Sequence, residues 1–215
     1  ELGLATSLGW SGATTVSSTM HIAKRANIEV FATGGIGGVH RDAGQSFDIS
    51  QDLAALSRIS MVVVSAGAKS ILDLPKTVEL LETLGVCTVG FKTSEFPSFY
   101  SRRSGIKRVT KVNSVEKVSE VFLNNRFLNT LGATLVLNPA PEESEIPLEI
   151  MDPIIHSAVA ELNKRRVEGK MVTPFLLSYI HEKTKGKSLD VNISLALNNV
   201  QLGAKIAKSL NARGG

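Results

Sequence analysis

Lys69 stands just behind the apolar run Met61-Val62-Val63-Val64, with Ser65, Gly67 and Ser70 around it. A lysine at the exit of a buried strand has two uses. As a cation it holds a phosphate; as a free amine it attacks a carbonyl or anomeric carbon, which demands burial or a neighbouring cation because the ordinary lysine pKa is about 10.4. The residues alone leave both open. Upstream, Gly34-Gly35-Ile36-Gly37-Gly38-Val39-His40 places glycines where main-chain N–H groups could approach an anion closely. Neither nucleotide fingerprint fits: counted from Gly35, the last glycine of G-x-G-x-x-G falls on His40, and Val63 and Ala68 occupy the glycine positions of a Walker A loop ahead of Lys69-Ser70. Asp48 and Asp52, one helical turn apart, offer oxygen ligands to a hydrated divalent ion such as Mg²⁺ or Mn²⁺. The competing use of Asp48 is to cap a helix, with Gln51 completing the pair. His40 follows the glycines and could face a ligand, whereas His21, His156 and His181 lack ligand spacing and are expected on the surface or in the core. Of Asn192, Asn198 and Asn199 in the last helix, one is expected to point into a polar site.

These residues need a frame. Apolar runs at 28–32, 61–64, 86–91 and 134–137 read as buried strands. Between them fall helical patterns: one through Thr14, Thr15, Val16, Met20 and Ala23, one from Asp48 through Leu56, one bracketed by Pro75 and Gly85, and one capped by Ser114 and running to Leu128. From Asn138 onward the chain reads as helical, with starts at Asp152-Pro153, Thr173-Pro174 and Ser188, and stops at Gly169 and Gly186. The alternation predicts an α/β fold, a largely parallel sheet covered by helices on both faces with a helical C-terminal part, in one domain over residues 1–215. In such sheets ligands collect beyond the carboxyl ends of the strands, where the glycines and Lys69 fall.

Composition narrows the partners. The 215 residues are 43% apolar and 20% charged, and the net charge of +4 is spread along the chain, which does not favour nucleic acid. The densest basic run, Arg102 to Lys111, reads as a solvated turn or strand edge. The charge-free stretch between Asp190 and Lys205 is too short and too polar for a bilayer, which needs about 20 apolar residues. A lone Cys87 makes no internal disulfide and suits a reducing, cytoplasmic compartment. The opening Glu1-Leu2-Gly3-Leu4-Ala5, without Met, is what a fragment would present.

Longer strings carry a resemblance. Gly12-Ala13-Thr14-Thr15-Val16, the segment from Val30 to Arg41, Phe47-Asp48-Ile49-Ser50-Gln51-Asp52-Leu53 and the segment from Ser65 to Asp73 resemble the pseudouridine-5′-phosphate glycosidase, or indigoidine synthase A, family. Asn138-Pro139-Ala140-Pro141, Thr173-Pro174-Phe175-Leu176-Leu177 and Gly186 through Asn192 follow in the family's order. The resemblance implies reversible cleavage of pseudouridine 5′-phosphate to uracil and ribose 5-phosphate. It implies Lys69 as the nucleophile that forms a covalent, imine-type sugar adduct, and Asp48 as a ligand of Mn²⁺ or another divalent cation held largely through water. Val16, Ser50, Gln51 and Asp52 match substrate contacts, and Thr33, His40 and Asn192 match positions lining the pocket. The family is typically a homotrimer, and its members begin with a further segment carrying a general-acid glutamate and a substrate-contacting lysine, neither of which is assigned here; Glu1 precedes a different motif. Two other readings use the same residues: a non-catalytic phosphopentose- or nucleotide-binding relative, and a Schiff-base phosphopentose aldolase or isomerase, for which no eight-strand barrel pattern is visible.

Overall fold

Short β-branched runs that are apolar at every position must be covered on both sides, and the chain supplies that cover. The computed structural model describes residues 1–14 and 16–213; Thr15, read as part of the first helix, lies outside them. Strands β1 (Val30–Ala32), β2 (Val62–Ser65), β3 (Cys87–Phe91), β4 (Thr110–Val112) and β5 (Thr134–Leu137) form an all-parallel sheet in the order β1-β2-β5-β3-β4. The central strands are in tight register, with Val62 opposite both Val30 and Thr134, and Cys87 opposite Thr134.

Side-chain alternation then divides the core. Val62, Val64 and Val136 point to one face, where Val118 and Phe122 of α6 (Val115–Phe127) and Leu202, Ile206 and Leu210 of α9 (Lys187–Arg213) cover them. Val63, Leu135 and Leu137 point to the other, against Met20 of α2 (Val16–Arg25), Leu53 and Leu56 of α4 (Gln51–Arg58), Val78 and Leu81 of α5 (Leu74–Thr83), and Ile155 of α7 (Leu148–Lys164). The remaining helices are α1 (Leu2–Ser7), α3 (Ala43–Ser46) and α8 (Val172–Lys183). Gly203 lets α9 lie close on the sheet: a Cβ there would already touch Ala32 at 3.4 Å.

Several boundaries differ from the sequence expectation for identifiable reasons. Asp48 does not cap α4; Ser50 does, its hydroxyl accepting from the Asp52 amide at 3.2 Å, because Ile49 is drawn into an antiparallel bridge with Val39. Helix α7 begins at Leu148, behind Pro147, and carries Pro153 inside it rather than at its start. Strand β4 emerges from the basic run as the sheet edge, with only Val112 of its three residues buried, too little apolar signal to read in advance. Helix α1 buries no residue and, at six residues, is too short to show a helical period.

One buried carboxylate joins three of these pieces. Asp52, 3% exposed, accepts from the Ser17 amide at the start of α2 (2.9 Å) and from the Gly37 amide in the glycine segment (2.8 Å). Both its oxygens are thereby committed to main-chain donors. Asp52→Asn keeps the shape but sets an NH₂ group against one of those donors. It should lower the unfolding free energy in urea by about 1–3 kcal/mol; an unchanged midpoint and slope would mean the carboxylate does not hold these segments.

Candidate active site

Beyond the carboxyl ends of β1 and β2 the chain leaves a cavity of about 490 Å³ that Lys69, Val16, Thr33 and Asn192 all line. A second cavity, of about 1150 Å³, is lined by His40, Asp48 and Ser50 together with Arg41, Arg166 and Thr173. The segment that starts in the first cavity at Thr33–Gly35 ends in the second at His40. The expected site residues are thus brought to the two ends of one glycine-rich segment. Gln51 is exposed on the first turn of α4, and Asp52 is buried beneath the glycine segment, lining neither cavity.

The glycines have a structural purpose of their own, that of a tight strand exit. Of the segment's amides, those of Ile36, Gly37, Val39 and His40 are spent within the protein, donating to Gly67 O, Asp52 Oδ2, Thr77 Oγ1 and Asp48 O at 2.8–3.0 Å. What requires glycine is crowding. A Cβ at Gly35 would lie 2.5 Å from the Phe99 ring, at Gly37 2.2 Å from Ser50 Oγ, and at Gly38 2.4 Å from Thr77 Oγ1. Gly67 has both reasons: its φ is +85°, and a Cβ there would lie 2.1 Å from Pro97 O.

Lys69 is half-buried, and its main chain is fixed on both sides. Its amide donates to Ile36 O at 3.1 Å and its carbonyl accepts from Leu72 N at 3.0 Å. The Arg41 guanidinium donates to the carbonyls of Ser70 and Ile71, at 3.4 and 3.2 Å. Ser65 Oγ and Ser70 Oγ, on either side of the lysine, are buried with no hydrogen-bond partner among the described residues. The nucleophile candidate therefore projects from a rigid mount, which suits an amine that must meet a carbon in one orientation.

Of Asn192, Asn198 and Asn199 on α9, Asn192 is the one at the cavity. Asn199, fully buried, is a structural tie: its Nδ2 donates to Thr33 O at 2.8 Å, and its Oδ1 accepts from Asn138 Nδ2 at 3.0 Å, linking the exits of β1 and β5. Asn198 donates to Pro139 O. His156 is exposed beside Asp152 on α7, and His21 is exposed on α2. His181, expected on the surface or in the core, also lines the Lys69 cavity.

Sequence reasoning missed Phe99 and Tyr100, which wall the Lys69 cavity from the loop after β3. The available signal was an aromatic pair in a loop at the sheet's carboxyl edge, but nothing local to Phe96-Pro97-Ser98-Phe99-Tyr100 says that it folds back over β2. The two rings meet edge to face, centroids 4.7 Å apart. Burial pushes the Tyr100 phenol up to about 12.

Asp48 Oδ2 lies 3.7 Å from His40 Nδ1, and the Asp48 side chain is about half exposed toward the larger cavity. Among the described residues no group of three or more His, Cys, Asp or Glu side chains is placed to share a metal ion. One carboxylate with one imidazole fits a cation that keeps most of its water.

The family model described as indigoidine synthase A like protein matches residues 1–209. Proteins named pseudouridine-5′-phosphate glycosidase from Petrotoga mobilis and Paracoccus denitrificans are 47% and 49% identical over 98% of the chain, which spans 69% of their length. The crystal structure of the prealnumycin C-glycosynthase AlnA in complex with ribulose 5-phosphate superposes with a TM-score of 0.93 at 34% identity, over 99% of this chain and 70% of that one. An indigoidine synthase A-like protein from Thermotoga maritima superposes with a TM-score of 0.84 at 44% identity, over 91% of this chain and 64% of that one. With the parallel sheet, the pinned lysine at its carboxyl edge and a match over nearly every residue, this chain belongs to the indigoidine synthase A-like family.

Proposed function

We propose that the chain acts as a pseudouridine-5′-phosphate glycosidase, cleaving the C–C glycosidic bond to uracil and ribose 5-phosphate, with Lys69 as nucleophile. The observation that carries this is the cavity at the carboxyl edge, into which a lysine on a fixed main chain projects beside Val16, Thr33 and Asn192. Relatives at 47–49% identity bear that enzyme's name, and a solved relative was captured with a pentulose phosphate.

The chemistry explains why an amine is wanted. A C–C glycosidic bond has no heteroatom to leave, so direct departure of uracil would strand a carbanion. Attack by the Lys69 amine on C1′ breaks the C1′–O4′ bond, and O4′ takes the electron pair and a proton. The open-chain adduct then releases uracil, whose C5 gains a proton as an imine forms between Lys69 and C1 of the sugar. Water adds to the imine, frees ribose 5-phosphate and restores the amine. By resemblance, the proton for uracil comes from a glutamate in a segment that family members carry ahead of these residues.

Mn²⁺ or another divalent cation would be held by Asp48, with His40 beside it and water filling most positions; when bound, it supplies positive charge for a phosphorylated sugar. Ser50 lines the same cavity, and Gln51 follows it on α4. Of the remaining expectations, the homotrimer rests on the family resemblance and the cytoplasm on the lone Cys87; no described helix is long and apolar enough to cross a membrane.

A specific observation favours one neighbouring reading. The C-glycosynthase relative favours the joining direction of the same machinery, and incubation with ribose 5-phosphate and uracil separates a catalyst of that bond from a binder. Formation of pseudouridine 5′-phosphate selects the glycosidase run in reverse, whereas binding of the sugar without product selects a non-catalytic phosphopentose-binding relative.

Borohydride with ribose 5-phosphate should add one reduced sugar-phosphate mass to the peptide containing Lys69. Lys69→Ala should abolish that label and cut turnover by at least about 10³-fold while the fold is kept. A label on another lysine, or normal turnover by the variant, would remove Lys69 from the mechanism. For the cation, Asp48→Asn should weaken Mn²⁺ binding about tenfold or more in a calorimetric titration, with an unchanged thermal midpoint; equal affinity would place the ion elsewhere.

A further inference from the structure

Tyr100 is held as firmly as Lys69, and by the same piece of chain. Phe99 N donates to Ala66 O at 3.0 Å, Ser98 bridges Gly67, and Ile146 N donates to Tyr100 O at 3.0 Å. The Ala66–Ala68 stretch that leads into Lys69 thus also anchors the loop that presents the phenol. Tyr100 is 4% exposed, yet it lines the Lys69 cavity. Among the described residues its hydroxyl has no hydrogen-bond partner; the ring's own interaction is with Phe99.

This combination is hard to account for by packing. Phenylalanine would fill the same space against Phe99; the hydroxyl adds to the cavity wall a polar atom that makes no hydrogen bond to the described residues and stays open to a ligand. The polar atom therefore finds its use in what fills the cavity. The ligand that the lysine calls for, a pentose phosphate, is rich in hydroxyl and ring oxygens that accept hydrogen bonds.

We propose that Tyr100 is a substrate-contacting residue, its hydroxyl donating a hydrogen bond to an oxygen of the pentose bound at Lys69, an inference that rests on the phosphopentose reading of this cavity. Burial keeps the phenol protonated, with its pKa up to about 12, so it serves as a donor throughout the physiological range. The bond orients the sugar against the amine, leaving the proton on the phenol.

Tyr100→Phe removes the hydroxyl alone. The variant should keep a thermal midpoint at or above that of the parent protein, bind ribose 5-phosphate about 10–100-fold more weakly by calorimetry, and trap it at Lys69 with borohydride more slowly at subsaturating sugar. Equal affinity would overturn the proposal, and so would a lowered midpoint, which would make the hydroxyl structural. If the parent protein binds ribose 5-phosphate but neither traps it nor forms pseudouridine 5′-phosphate, the glycosidase reading fails while the affinity difference still decides on Tyr100. If the parent protein does not bind the sugar at all, both fall.

Discussion

Two main-chain amides, from segments far apart in sequence, converge on one carboxylate that water scarcely reaches. Asp52 binds the first turn of α2 to the glycine segment, and it does so from the first turn of α4, whose own cap, Ser50, packs against Gly37. Everything that walls the lysine cavity on this side takes its position from that junction: Val16 at the start of α2, Thr33 to Gly35 at the start of the glycine segment, and, through the Lys69 N to Ile36 O bond, the lysine itself. Because a buried charge of this kind is tolerated only when its oxygens are well satisfied, the junction resists alternatives in which either segment drifts.

The parallel sheet was legible, β4 apart, because its strands are mostly apolar runs separated by helices with recognisable ends. Ser114, and Pro75 with Gly85, stand where those helices begin and end. The placement of Lys69 was also legible, since a lysine just past a buried strand in this topology has little choice but the carboxyl edge. What could not be read was the use made of the glycines, because the crowding that excludes a Cβ comes from Phe99, Ser50 and Thr77, brought in by three different connections. Tyr100 was hidden for the same reason. The role of Asp52 was hidden by its neighbour: with Asp48 and Gln51 imitating a capping pair, local pattern favoured the wrong residue, and only the Val39–Ile49 bridge moves the helix start to Ser50.

The two cavities divide the chemistry by kind of residue. Around Lys69 the walls are aromatic and apolar with a few amides and hydroxyls, a setting for a reacting amine and a planar or sugar ligand. Around Asp48 they carry charge, with His40 beside the carboxylate and Arg41 and Arg166 on the same lining, a setting for an anionic group and a counter-ion. A phosphorylated sugar has both characters, and the glycine segment runs from one setting to the other.

Strand β4 closes the sheet on its far side, and its outer rim is open. Lys107, Arg108 and Lys111 all stand exposed there or just before it, with Arg108 paired to Glu79. A second molecule offering a strand to that rim in parallel or antiparallel pairing would bring its own basic run near this one, and the like charges would oppose the union. Like charge along an edge strand thus disfavours its use as a template for another copy's strand.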